Sequence, residues 1–141
     1  MSSYIMNQIS MFSENRPGRL ALFAKAMMEE KINIYAFSIA EADGFGIIRA
    51  VVSDPEKAKR KLAGMGFTVA FTEVIAVQMK DEPGGLYDVA HMLAEAGINI
   101  EYSYAYSREK KAVLVLRVDR SKEAVETILE KGGRLLNHLD L

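Results

Sequence analysis

Hydrophobic and polar residues follow one pattern that runs through the chain twice. Each pass has a strand-like alternation, apolar residues at helical spacing, two β-rich runs, a second helical pattern and a short closing strand. In the first pass Leu20, Phe23 and Met27 mark the buried stripe of the first helix. The predicted elements of this pass are strand 5–12, helix 17–31, strands 33–40 and 46–52, a helix opening at 54–56, and strand 67–71.

Polar residues, proline and glycine indicate where these elements begin and turn. Pro17 is expected in the first turn of its helix, with Asn15 as a possible cap. Asp54 is the expected cap of the second helix, and Asp43-Gly44 is expected to close a hairpin between the two β-rich runs. Each pass therefore predicts the order βαββαβ.

The second pass is an internal repeat of the first. A shift of 66 residues, without a gap, places Ile32-Asn33-Ile34 on Ile98-Asn99-Ile100, and nine of the 26 positions between Ile9 and Ile34 are then identical. The corresponding elements are strand 74–79, helix 83–96, strands 99–106 and 112–118, helix 121–131 and a closing strand 135–139. We therefore expect two tandem domains, 1–72 and 73–141.

The predicted class is α+β: two tandem ferredoxin-like βαββαβ sandwiches, each with an antiparallel sheet and its helices on one face. Successive residues are apolar in three β-rich segments, so both faces of these strands are hydrophobic: Ile47-Ile48, Val51-Val52 and Val113-Leu114-Val115-Leu116. Since helices cover one face, a second copy of the chain is expected to cover the other. A homodimer formed through sheet faces or sheet edges is thus predicted.

Composition narrows the classes of function. The 18 basic and 19 acidic residues give a net charge of −1, which offers no electrostatic reason to expect nucleic-acid binding. The chain has no cysteine, no apolar run of membrane-spanning length and no signal-peptide pattern, so a cytoplasmic protein without membrane attachment is expected. His91 and His138 lack a second ligand at metal spacing, and no catalytic constellation appears. We expect no metal, no cofactor and no enzymatic activity.

The repeated motif resembles the ACT domain family over essentially the whole chain. A strand is followed by a polar residue and Pro-Gly-x-Leu at a helix start, and Ile-Asn-Ile then enters the next strand. The resemblance implies a protein that binds small molecules, usually amino acids, at the seam between two modules and regulates enzymes or transcription factors. The residues that carry it are Asn15, Arg16, Pro17, Gly18, Arg19 and Leu20 with Asn33 and Ile34, and Asp81, Glu82, Pro83, Gly84, Gly85 and Leu86 with Asn99 and Ile100.

These residues are the predicted ligand-binding residues, and elementary chemistry agrees for the two loops. A helix start offers unpaired N–H groups and the positive end of the helix dipole to a carboxylate. Gly18 and Gly84 permit a close approach to the backbone, and Asn15 or Asp81 can accept hydrogen bonds from an ammonium group. The alternative is that Pro-Gly is a helix-start device and that Asn33 and Asn99 are turn residues.

The loops differ in charge, so their binding is expected to differ. Arg16 and Arg19 make the first loop positive, whereas Asp81 and Glu82 make the second negative, which favours the first for a carboxylate. Tyr102, Tyr104 and Tyr106 alternate along one strand, either as an aromatic pocket or as half-buried sheet surface.

The leading hypothesis is a sensor that binds an amino acid and acts on a separate enzyme or partner. The alternative is a ligand-free interaction or regulatory subunit that dimerises through its sheets.

Overall fold

The computed structural model describes residues 2–141, which form two compact units. The first unit is Asn7–Thr72, and the second is Glu73–Leu141 together with the short segment that ends at Met6. The domain limits 1–72 and 73–141 stay a prediction; residue 1 lies outside the described residues. The elements are β1 (Met6–Glu14), α1 (Arg19–Glu29), β2 (Ile34–Ala42), β3 (Phe45–Val52), α2 (Pro55–Gly64), β4 (Thr68–Lys80), α3 (Gly85–Glu95), β5 (Ile100–Arg108), β6 (Lys111–Val118), α4 (Ser121–Glu130) and β7 (Arg134–Leu136).

The first unit confirms the predicted antiparallel hairpin and its neighbours. The strand order is β2-β3-β1-β4, with β3 antiparallel to both β2 and β1. Its core lies between this sheet and helices α1 and α2, where Ile9, Phe23 and Leu62 are fully buried. The second unit has the order β7-β4-β6-β5, and α3 and α4 cover the sheet face that carries Leu114 and Leu116. The expected α+β ferredoxin-like class is confirmed.

Two details of the first unit differ from the expectation for helix starts. Helix α1 begins at Arg19 behind Gly18, which has a left-handed φ of 91° and provides no side-chain cap. Pro17 therefore precedes the helix, and Asn15 instead donates its backbone N–H to Gly44 O over 2.8 Å. Asp54 does cap α2, since its carboxylate accepts a hydrogen bond from Lys57 N at 3.1 Å.

The strands predicted at 67–71 and 74–79 are one continuous strand, β4. Neither glycine nor proline, which can interrupt extended backbone, occurs at positions 72 and 73. The strand conformation therefore continues through Thr72 and Glu73. Residues of β4 up to Thr72 belong to the first unit and those from Glu73 to the second.

Val51 and Val115, which lie on the helix-free faces of β3 and β6, are already buried within a single chain. Val51 and Val115 are each 1 % exposed, although neither belongs to the cores beneath the helices. The expectation that a second copy must cover these residues is therefore wrong for Val51 and Val115.

Candidate ligand-binding loop

The first predicted loop, residues 15–18, connects β1 to α1 and is exposed throughout. Arg16 makes a long ion pair of 3.8 Å with Glu14, and both side chains are about two-thirds or more exposed. The first helical amide with an intrahelical partner is that of Leu22, which donates to Gly18 O at 2.9 Å. The amides of the first helical turn before it have no intrahelical acceptor, as in other helix starts that bind anions.

Arg19, the first residue of α1, directly follows this loop and distinguishes it from the second one. Its Nη1 atom is buried and has no hydrogen-bond partner among the residues that the structure describes. The guanidinium packs over Gly46 in β3: a Cβ on Gly46 would overlap Nη1 and lie 2.8 Å from Cζ. No carboxylate of residues 2–141 pairs with this side chain, so the charge is held at the helix start without a counter-ion.

Gly46 was missed as a site residue by the sequence analysis, yet the repeat contains a signal for it. The 66-residue shift places Arg19 on Gly85 and Gly46 on Ala112. In the first unit a glycine on β3 makes room for the arginine, whereas in the second unit the helix start has no side chain and an alanine, 4 % exposed, occupies the strand position. Between the units, the loss of the arginine side chain at the helix start is thus accompanied by the gain of a methyl group on the strand. These two positions contact each other in the first unit.

The second predicted loop, residues 81–84, is built differently. Gly85 begins α3 so close to β4 that an added Cβ would overlap the carbonyl oxygen of Lys80. Asp81 accepts a hydrogen bond from Ser107 Oγ at 3.3 Å, and Glu82 lies 4.0 Å from Lys80 Nζ. Leu86 is 55 % exposed. This loop presents no cation comparable to Arg19.

The structure does not bring Asn33 and Ile34 to the first loop of their own unit. On β3, Phe45 pairs with Glu14 beside the loop, whereas Val52 pairs with Ile34 at the other end of the strand. Seven residues of strand correspond to about 23 Å. Instead, the backbone N–H of Asn33 donates to Ser53 Oγ at 2.9 Å, and its carbonyl oxygen accepts from Ser53 N at 2.9 Å. Asn99 is bound in the same way to Asp119 in the second unit, where its N–H donates to the carboxylate and its carbonyl oxygen accepts from Asp119 N. Each asparagine thus immediately precedes the first residue of its strand.

The remaining candidates show no catalytic or metal arrangement. Tyr102, Tyr104 and Tyr106 are half-buried on the helix-free face of β5. His91 stacks on Tyr87 with ring centroids 5.2 Å apart and contacts Glu95 at 2.8 Å on the exposed side of α3. Within the described part of the chain no cluster of three or more histidine or acidic side chains could hold a metal ion. No helix of that part is long and apolar enough to cross a membrane.

Comparison with known proteins agrees with this architecture. The family model of the ACT domain pair matches residues 4–141. The chain therefore belongs to the ACT domain family, as a pair of such domains, and this pair is a regulatory module. A search of curated proteins found no match.

Solved structures share the fold over most of the chain. Protein BT0572 from Bacteroides thetaiotaomicron is 36% identical, with a TM-score of 0.92 over 97% of this chain and 95% of that one. The regulatory subunit of aspartate kinase from Thermus thermophilus, in its ligand-free form, is 14% identical, with a TM-score of 0.65 over 89% and 95% of the two chains. The aspartokinase alpha and beta subunits are 18% identical, with a TM-score of 0.60 over the same shares.

Proposed function

We propose that this protein is a cytoplasmic regulator that binds an amino acid and acts on a separate enzyme or other partner, without catalysing a reaction itself. The observation that supports the proposal is the Arg19 guanidinium, held over Gly46 at the start of α1 with a buried, unpartnered Nη1. The kind of role is taken from the family and from the aspartate kinase regulatory subunits that share its fold.

The chemistry of this loop suits the carboxylate of an amino acid. An arginine side chain offers a planar set of donors that matches a carboxylate in two-point geometry. The unpaired amides at the start of α1 and the positive end of its dipole add to the attraction. Packing over Gly46 limits the rotamers of Arg19, so less side-chain entropy is lost when a ligand binds.

The differences between the loops support binding at the first one. Asp81 and Glu82 would repel a carboxylate, and Gly85 cannot carry a cation because its Cβ position is filled by backbone. We therefore propose one carboxylate site per chain, at residues 15–20. We propose that Asn15, in this exposed loop, accepts a hydrogen bond from the ammonium group.

Replacing Arg19 by alanine is expected to weaken amino-acid binding by about tenfold or more, because charge-assisted hydrogen bonds contribute about 1.5–3 kcal/mol. Gly46→Ala should weaken it as well, because the new methyl group must displace the guanidinium. Its cost in stability is expected to be small, since the end of a flexible side chain can move. Thermal-shift screening with the twenty amino acids, followed by calorimetry on those that raise Tm, measures both effects.

Arg16→Ala is the matched control, since it removes the same charge from an exposed position of the same loop. It should change affinity by less than about threefold at physiological salt. If no amino acid shifts Tm, the proposed ligand class is wrong. If Arg16→Ala and Arg19→Ala weaken binding equally, Arg19 has no special role and the charge of the loop alone acts.

The second candidate function is an interaction subunit that forms a homodimer. Three large apolar side chains of the first unit favour it: Phe37, Ile39 and Phe45 are 47%, 38% and 66% exposed. Phe37 and Ile39 belong to β2, which is the last strand of its sheet and offers unpaired backbone groups. We propose that a dimer, where it forms, uses this edge.

Light scattering at micromolar concentration is expected to show twice the mass of one chain. Ile39→Glu should shift the mass to that of a single folded chain, because it places a charge on the exposed apolar edge. Ala105→Glu, at the repeat-equivalent position on β5, is the control and should leave the dimer intact. A wild-type protein that scatters as a monomer would exclude this candidate.

A further inference from the structure

The second unit contains a cavity of about 360 Å³ at the hairpin end of its sheet. It lies on the helix-free face, and none of its lining residues belongs to the loops 15–18 and 81–84. Its floor is formed by the buried side chains of Val113 and Leu136, each 5 % exposed. The volume is in the lower part of the range found for small-molecule sites.

Strand register places the polar side chains around this floor. Gln78 on β4 pairs with Arg134 on β7 and with Val113 on β6, so these three form one row across the sheet. Lys111 lies two residues from Val113 on the same face, and it pairs with Arg108 on β5. Because neighbouring strands are about 4.8 Å apart, long cationic side chains from these positions can reach one ligand.

The basic side chains of the cavity outnumber its acidic ones by three to two. Within residues 2–141 neither Arg108, Lys111 nor Arg134 makes an ion pair. The cavity also contains Glu109 and Asp140, and Asp140 accepts a hydrogen bond from the backbone of Asn137 at 3.3 Å. An anion between the three cations would provide the ion-pair partner that none of them has among residues 2–141.

The fold itself does not require these cations. In the repeat, Arg108, Lys111 and Arg134 correspond to Ala42, Phe45 and Thr68, and Gln78 and Val113 correspond to Phe12 and Ile47. The first unit thus forms the same strands without a single charge at these positions. The basic residues are an added property of the second unit, which points to a role in binding.

We propose that this cavity binds a small organic anion with two or more acidic groups, carboxylate or phosphate. Two arginines and a lysine provide two-point and point-charge recognition of such groups. The amide of Gln78 adds a neutral donor, and Val113 with Leu136 accommodates an apolar part of the ligand. The site is independent of the loop at Arg19, which belongs to the other unit.

Titration of the full chain with citrate and with pyrophosphate, at constant ionic strength, tests the site by amide chemical-shift changes and by calorimetry. We expect saturable changes at Gln78, Val113 and Arg134 for at least one probe, and the stronger probe identifies the acid class. The variant Arg108→Ala/Arg134→Ala should weaken the binding about tenfold or more. The variant Lys122→Ala/Lys131→Ala, which removes the same charge from exposed positions of the same unit, is the control.

Two outcomes would overturn the proposal. One is the absence of saturable shifts with either probe at millimolar concentration. The other is an equal loss of affinity in both double variants, which would mean that the net charge of the unit acts and not the cavity. Arg19→Ala is expected to leave this binding unchanged, so failure here and failure of the proposed amino-acid site are distinguishable.

Discussion

Val115→Glu is expected to unfold the second unit or to reduce its free energy of unfolding by about 4 kcal/mol or more. Val115 lies on the sheet face opposite the helices, paired with Ala76 on β4 and Tyr104 on β5, and yet it is 1 % exposed. A carboxylate there would be removed from water. Since domains are stable by about 5–15 kcal/mol, this loss is a large part of the total. Chemical denaturation followed by circular dichroism measures it.

Leu129→Glu is the control for this prediction, because it introduces the same side chain in the same unit at a position that is 40 % exposed. It should cost less than about 1 kcal/mol. Val51→Glu, also at a 1 % exposed position, is expected to destabilise the first unit comparably. A folded monomeric Val115→Glu protein of wild-type stability would show that a partner copy, and not the chain itself, covers this face.

Gly85→Ala is expected to destabilise the second unit by about 2 kcal/mol or more. The added methyl group would overlap the carbonyl oxygen of Lys80 and lie 3.1 Å from its carbonyl carbon. Both atoms belong to the backbone of β4, so relief requires α3 to move away from the sheet and from its packing through Val89 and Leu93. Thermal and denaturant unfolding curves report this shift.

Gly64→Ala is the matched control, since this residue ends α2 and an added Cβ meets nothing within 4 Å. Alanine there should be neutral or stabilising, because it lowers the entropy of the unfolded chain. Should Gly85→Ala prove as stable as Gly64→Ala, the close approach of α3 to β4 would not exist in solution. Gly46→Ala is expected to cost less stability than Gly85→Ala, because the atoms nearest to its added methyl group belong to the movable side chain of Arg19.

Much of the fold was predictable because local pattern and repeat agree. Leu20, Phe23 and Met27 recur at helical spacing, and the hairpin turn at Asp43-Gly44 joins two β-rich runs, so the order of elements follows from residues close in sequence. The continuity of β4 through Thr72-Glu73 was missed, because nothing local distinguishes a strand that ends there from one that continues. The start of α1 at Arg19 was missed since Pro17 suits a turn as well as a helix.

The candidate site stays a prediction, and the structure changes which residues can belong to it. The Pro-Gly motif and the loop charges indicated the first loop and favoured it for a carboxylate. Asn33 and Ile34 were grouped with that loop by motif alone, whereas strand pairing places them at the far end of the same unit. Gly46 became visible as a site residue through its contact with Arg19, which lies 27 residues away in sequence.

The sequence alone was sufficient to predict the duplicated βαββαβ pattern, the buried stripes of the helices and the different charges of the two loops. Each of these properties depends on periodicity or composition within short segments. Folding in three dimensions was needed for three other properties: burial of Val115 on the helix-free face, the unpartnered Nη1 of Arg19 over Gly46, and the cations around the cavity of the second unit. Each of these depends on distances between residues far apart in sequence. Such distances are set by the packing of helices on sheets and by strand register, and a one-residue change in the register of β6 would move Val113 and Val115 to the opposite face of the sheet.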